Sequence, residues 1–225
     1  MTKPFVLIGL TGLANAGKDT AADLLVTHQG FTKMAFADAL YAEVAEAYCV
    51  DVRFLMHRET KEHPLSALAL ARCSSDLFVA RLIVNAQAAG QPLDLQAPRS
   101  PRQILQLWGT EYRRHQQPRY WIDGLTRRIQ FNTGNCLGHR FVITDCRFPD
   151  EAAKVREFGG RIWQIKRTGV GPASTGHVSE TTGDDFHPDA ILHNDYDIRH
   201  LQQLVLGEFW AHDAGLASVT VQISD

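Results

Sequence analysis

The run "FVLIGL" at 5–10 is apolar without interruption, the pattern of a short strand buried on both faces of a parallel sheet. It leads through "TGLANAG" into a segment whose apolar positions Ala21, Leu24 and Leu25 recur at helical spacing, predicting a helix from about Lys18 to His28. "FTKMAF" (31–36) predicts a short second strand and "ADALYAEVAEAY" (37–48) a helix. From about 54 to 133 the strand signal fades. "SALALARCSSDLFVARLIVNAQAA" predicts one Ala- and Leu-rich helix, and "SPRQILQLWGTEYRR" a second with a Ser-Pro start. "YWIDGLTRRIQF" predicts a third that runs up to the turn "NTGN". "QAAGQPLDLQAPRSP" is a Gly/Pro-containing loop. Alternation then returns with a strand at 140–145 ("RFVITD"), a helix at 149–160 ("PDEAAKVREFGG") with a Pro start and a Gly stop, and a strand at 161–167 ("RIWQIKR"). A polar segment at 168–185, a short strand at 189–194 ("DAILHN"), a helix at 197–215 and an alternating edge-strand pattern at 217–224 complete the chain.

Strands separated by helices predict an α/β fold, a doubly wound parallel sheet flanked by helices. In such folds ligands bind at the carboxyl ends of the strands. The expected organisation is one domain over 1–225, with a core at about 1–50 and 136–225, a helical insertion at about 54–133 and a short lid at about 168–185.

Composition narrows the class only a little. Hydrophobic content of 44% and charged content of 21% are those of an ordinary globular protein. A formal net charge of -2 offers no global attraction to nucleic-acid phosphates, so no nucleic-acid partner is expected. The 23 basic residues are mostly arginine, 17 of them, and their planar forks suit phosphate as well as solvent. The four cysteines, Cys49, Cys73, Cys136 and Cys146, form no CxxC pair, and reduced thiols are expected. "KPFVLIGLTGLANAG" has the outline of a secretory signal, but Gly9 and Gly12 break its apolar stretch and it reads better as a buried strand. No other segment approaches the roughly 18 apolar residues of a membrane span, so a cytoplasmic protein without membrane partners is expected.

The candidate chemistry begins with "GLANAGKDT". Gly12-x-x-x-x-Gly17-Lys18 has phosphate-loop spacing, and the composition would produce it by chance only about 0.03 times. A strand before and a helix after supply the context the motif needs. Glycines let main-chain N–H groups face inward, and the helix N-terminus favours anionic phosphate. Gly12, Asn15, Ala16, Gly17, Lys18, Asp19 and Thr20 are therefore the candidate ATP-binding residues, with Lys18 bridging the outer phosphates. Asp19 stands where a hydroxyl usually ligates magnesium. A carboxylate is itself a hard ligand for Mg²⁺, and Asp145, ending "FVITD", is the second candidate metal ligand. Arg147 lies two residues beyond.

No NKxD guanine-reading motif and no LSGGQ stretch appears, which points away from a GTPase switch and a transporter ATPase. A helical insertion for an acceptor and a lid-like segment fit a small-molecule kinase of the P-loop NTPase fold. Such an enzyme must exclude water to avoid hydrolysing its ATP.

At the level of whole blocks, "LTGLANAGKDTAADLL", "KMAFADAL", "PRQILQLWGTEYRRHQQPRYWIDGL", "FVITDCRFPDEAAKVREFGGRIWQIKR" and "HVSE…DAILHND" resemble the bacteriophage deoxynucleoside monophosphate kinases, with animal phosphomevalonate kinase more distantly similar. The likeness spans about residues 5–205. It implies transfer of the ATP γ-phosphate, with Mg²⁺, to a deoxynucleoside 5′-monophosphate, in host cytoplasm if the chain is phage-encoded. It implies an acceptor site of Asp38, Arg102, Gln103, Trp108, Glu111, Arg114 and Arg147, with Arg58 and Lys61 as further phosphate contacts. Trp108 is equally well read as a core aromatic of an amphipathic helix. Glu180 would belong to the lid, and Arg167 is a further lid candidate. Lys18, Arg114 and Arg147 would carry transition-state charge.

Departures from that pattern are also present. Ala39-Leu40-Tyr41 follows "FAD" where the family usually has Pro-Leu-Lys, and Arg113 stands where a glycine is common. The segment 168–185 contains no arginine. The alternatives left open are a kinase of another phosphorylated small molecule and a nucleotide-binding regulatory module. A homodimer is open beside a monomer.

Overall fold

The computed structural model describes residues 5–57, 59–135, 137–169 and 187–213. Its strands are β1 (Val6–Thr11), β2 (Thr32–Met34), β3 (Arg140–Ile143), β4 (Arg161–Lys166) and β5 (Ala190–His193). They form one sheet in the order β2-β3-β1-β4-β5, and every pairing is parallel. The α/β architecture read from the sequence, a doubly wound parallel sheet flanked by helices, is the architecture found. β1 sits at the centre because all six of its residues are buried, which an edge or half-exposed strand would not tolerate. Ile8 lies opposite both Val142 and Arg161, so the strands that return from opposite directions flank β1. The loop that leaves β1 therefore stands where the winding reverses, the usual ligand position in such sheets.

The chain divides into two compact units, Met1–Ala35 with Thr126–Asp225, and Phe36–Leu125. In the first, α1 (Lys18–Gln29) and α8 (Ile198–Asp213) cover one sheet face. Ala21, Ala22 and Leu25 pack with Leu201, Val205 and Phe209 against Val6, Ile8, Leu10 and Trp163. The small residues Ala21 and Ala22 let α1 approach the strands. On the opposite face lies α7 (Pro149–Glu157), where a Cβ added at Gly9 would meet Ile162 Cδ1 at 2.8 Å and Val155 Cγ2 at 3.3 Å. Gly9 is thus the residue that admits the α7 side chains to β1.

The second unit contains α2 (Asp38–Ala47), α3 (Val52–Met56), α4 (Asp76–Ala88), α5 (Pro101–Gln106) and a π-helical stretch, Leu107–Arg114. α6 (Tyr120–Gly134) follows. Ser100 caps α5 reciprocally: its hydroxyl accepts from Gln103 N at 3.2 Å, and Gln103 Oε1 accepts from Ser100 N at 2.8 Å. The Ser-Pro start predicted a helix here, and the cap is the reason it begins at Pro101.

Two helical expectations need correction. The single helix expected over "SALALARCSSDLFVARLIVNAQAA" is two 3₁₀ turns, Ser66–Leu68 and Leu70–Arg72, followed by α4. Leu65 N donates to Arg99 O at 3.0 Å and Ala71 N to Leu95 O at 2.9 Å, so donors that a continuous helix would use are taken by the returning loop. α6 continues through "NTG" rather than stopping before it. Thr133 Oγ1 donates to Ile129 O at 2.9 Å and Asn135 Nδ2 to Phe131 O at 2.7 Å, and these side chains satisfy carbonyls of the last turns. The expected strand at 217–224, Arg58, Cys136, Glu180 and the expected lid beyond residue 169 lie outside the described residues. Cys49, Cys73 and Cys146 are free thiols. No helix among the described residues is long and apolar enough to cross a membrane.

The α1/α8 layer has a measurable keystone. Phe209 is 1% exposed, meets Phe31 edge-on at 5.6 Å and lies 5.2 Å beneath the Arg140 guanidinium. Phe209→Ala is expected to lower unfolding stability by about 3–5 kcal/mol, read by urea denaturation.

Candidate functional site

Residues 12–20 join the end of β1 to the start of α1, and their backbone is unusual at three points. Gly12, Asn15 and Gly17 have φ of 130°, 65° and 107°. Ala16 N donates to Leu13 O at 3.2 Å, closing the intervening turn. Crowding explains the glycines beyond their dihedrals. A Cβ at Gly12 would stand 2.3 Å from the Ile165 carbonyl oxygen, and one at Gly17 would stand 2.4 Å from Asn194 Nδ2. β4 and the residue after β5 therefore press on the loop from outside.

Asn194 is a component that the sequence reading did not single out. It is 7% exposed, and its Nδ2 donates to Ala16 O at 2.8 Å. Its own N–H donates to Lys166 O at 2.7 Å, which continues the β4–β5 ladder. A polar residue closing the apolar strand "DAILHN" was the available signal, since a buried amide at a strand end needs a partner from elsewhere.

Inside the loop, the Lys18 ammonium folds back on its own cradle. Nζ donates to Gly12 O at 2.7 Å and to Leu13 O at 2.8 Å. Burial pushes its pKa down to about 8, and the Arg147 charge adds to this against the opposing pull of Asp19 and Asp145. Asp145 and Arg147 are thus close enough to act on the ammonium. The chain after β3 runs alongside the loop because Thr144 N donates to Met34 O at 3.0 Å and Cys146 N to Leu10 O at 3.1 Å. Asp145 is 9% exposed, whereas Arg147 is exposed. The Glu151 carboxylate shapes this corner by accepting from Arg147 N at 2.8 Å and Phe148 N at 3.1 Å.

Asp19 lies in the first turn of α1, where the helix dipole favours an acid. Its side chain is 79% exposed and pairs with Lys33 at 3.0 Å, as does Asp23. No group of three or more His, Cys, Asp and Glu gathers as a metal cage among the described residues. A magnesium ion carried on phosphates needs only one or two carboxylates, and the donor set of Asp145 and Asp19 has the hard oxygens it prefers.

In the second unit the expected acceptor residues fall into two groups. Lys61 and Arg102 come together: Arg102 N donates to Lys61 O at 3.0 Å, Arg102 Nε pairs with Glu62, and Lys61 Nζ donates to Tyr41 Oη at 2.7 Å. Asp38 begins α2, one helical turn before Tyr41. Gln103 has its side-chain oxygen engaged in the α5 cap.

Trp108 answers to the packing alternative. It is 3% exposed, packs against Phe78 in a tilted pair with ring centres 4.6 Å apart and donates Nε1 to Glu43 Oε2 at 2.8 Å. Glu43 also accepts from Arg113 Nε at 2.8 Å and Tyr120 Oη at 2.5 Å. The Arg113 guanidinium lies 4.9 Å from the Tyr112 ring and 4.8 Å from the Tyr120 ring. Glu111 is exposed and Arg114 half-buried on the same π-helical stretch. π-Helical turns are rare and concentrate at functional sites. Arg167 is exposed past the end of β4.

No protein-family model matches the chain. A protein of Acanthamoeba polyphaga mimivirus named "Putative deoxynucleotide monophosphate kinase" is 27% identical over 226 residues, covering 92% of this chain and 93% of that protein. Among solved structures, TT1252 from Thermus thermophilus aligns with a TM-score of 0.47 at 18% identity, over 93% of this chain and 98% of its own. A gluconokinase from Sinorhizobium meliloti 1021 aligns with a TM-score of 0.42 at 13% identity, over 96% of this chain and 100% of its own. These two structural likenesses carry no argument about function.

The crowding around the loop predicts an asymmetry between glycines. Gly12→Ala combines a positive φ with a collision against main chain and is expected to cost more than about 2 kcal/mol. Gly30→Ala, at φ 67° with nothing within 4 Å of the added Cβ, is expected to cost about 1 kcal/mol. Urea denaturation of the two variants side by side checks the difference.

Proposed function

We propose that the chain is an ATP-dependent kinase that transfers the γ-phosphoryl group to a deoxynucleoside 5′-monophosphate, giving the diphosphate. The observation that carries the reading is the Lys18 ammonium held in a left-handed glycine loop at the carboxyl end of the central strand. A cation seated on carbonyls beside a helix N-terminus suits a polyphosphate tail better than any neutral ligand. The similarity in sequence to the mimivirus protein, spread over nearly the whole chain, supports the choice of acceptor.

In this reading Gly12 to Thr20 bind the triphosphate, and Lys18 leaves Gly12 O and Leu13 O for the outer phosphates. Asp145 and Asp19 would hold Mg²⁺, which would supply charge neutralisation to the phosphates. Asp19 is paired with Lys33 at 3.0 Å. Asp38, Lys61, Arg102 and Arg114 take the acceptor, and Arg147, beside Lys18, meets charge that builds on the transferred group. Phosphoryl transfer asks the protein for placement and charge far more than for covalent chemistry.

A coupled assay with MgATP over a panel of dNMPs, with phosphomevalonate alongside, tests the proposal; turnover with no dNMP would refute it. Lys18→Ala is expected to reduce turnover by roughly a thousandfold or more with the circular dichroism spectrum unchanged. Substantial residual activity would remove Lys18 from the mechanism.

Acidity provides an independent check. With its pKa near 8 in the free protein, Lys18 is charged below that pH and neutral above it. A bound polyphosphate favours the charged form, so affinity for MgATP is expected to hold steady from about pH 7 to pH 8. Above that it should weaken by up to about tenfold per pH unit. Isothermal calorimetry measures this directly, and Lys18→Arg, charged throughout, is expected to flatten the profile.

A further inference from the structure

The second unit contains an ammonium that is oriented without being neutralised. Lys61 is half-buried, its Nζ donates to Tyr41 Oη at 2.7 Å, and it lies 5.4 Å from the centre of the Tyr41 ring. Its hydrogen-bond partner is a neutral side chain. The neighbouring carboxylate, Glu62, is paired with Arg102 instead, and no carboxylate among the described residues reaches Lys61. Its main-chain carbonyl accepts from Arg102 N at 3.0 Å, which ties this turn to the start of α5.

The donor arithmetic of the pair is one-sided. An ammonium carries three N–H donors and no acceptor. One N–H is directed to the phenol oxygen, so two remain, and the phenol keeps its own proton to donate. The cluster therefore offers several donors and a full positive charge to whatever approaches, which is the chemistry of a phosphate or carboxylate anchor. A flexible four-carbon stem would ordinarily spread that charge over many positions. The hydrogen bond to the phenol oxygen restricts those positions in advance.

We propose that Tyr41 is a positioning residue that holds the Lys61 ammonium as the anchor for the acceptor's 5′-phosphate. This rests on the kinase reading above and adds a residue to it.

Steady-state kinetics of Tyr41→Phe, Lys61→Met and the double variant, with dNMP and ATP varied separately, test it. Phe retains the ring and removes only the hydroxyl. Tyr41→Phe is expected to raise the KM for dNMP by about five- to tenfold while kcat stays within about twofold and the KM for ATP is unchanged. Lys61→Met is expected to raise the dNMP KM further, and Tyr41→Phe to add less than about twofold in that background. Thermal midpoints within a few degrees of the unmodified protein control for folding, with Lys61→Gln as the substitute if Lys61→Met does not fold. An unchanged dNMP KM in Tyr41→Phe would overturn the inference and leave the kinase reading intact. So would an equal rise with and without Lys61, since the phenol would then be acting by itself. An unmodified protein that turns over no dNMP would overturn the kinase reading and this inference with it.

Discussion

A positive charge with nowhere else to go organises the candidate site. Lys18 is drawn out of water at the end of β1, and its ammonium is compensated by two main-chain carbonyls and two neighbouring carboxylates rather than by one salt bridge. Burying an ammonium is costly, and the Arg147 guanidinium makes it more so. The strain is tolerated because the surroundings are rigid. β1 is covered on both faces, the loop is pressed by Ile165 and held by Asn194, and Cys146 ties the next strand's exit to Leu10. The result is an ammonium whose direct partners are uncharged carbonyls, a weak compensation for a charge drawn out of water.

The second unit solves a different problem with one carboxylate. Glu43 takes hydrogen bonds from an indole, a guanidinium and a phenol, three donors contributed by the π-helical stretch and the start of α6. A half-buried carboxylate satisfied this fully gives cohesion without a disulfide or a metal. The rings of Trp108, Tyr112 and Tyr120 surround Arg113, so the guanidinium is solvated by aromatic faces where water is scarce. The widened helical turn also leaves the Gly109 carbonyl to accept from Trp121 Nε1 at 3.2 Å.

Whatever depended on local pattern was legible in the sequence. Uninterrupted apolar runs marked β1 and β3, glycine spacing marked the loop, and Ser-Pro marked α5. What depended on partners distant in the chain was not legible. Nothing near residues 65–71 reveals that their N–H groups are claimed by residues 95 and 99, so a helix was expected where 3₁₀ turns lie. The π-helical stretch has the composition of any amphipathic helix. Trp108 looked equally suited to stacking and to packing until Glu43, 65 residues earlier, proved to hold its indole nitrogen. Asn194 escaped because its partner, Ala16, is 178 residues away.

The glycine loop is not equally open to change along its length. At Gly12 and Gly17 even a methyl group meets neighbouring atoms, whereas Asp19 and Thr20 face outward into solvent. The two positions after the lysine are therefore places where a hydroxyl and a carboxylate are interchangeable as far as packing is concerned, with the glycine turns left undisturbed. The aspartate that seems anomalous in the motif sits where the geometry makes a change of side chain inexpensive.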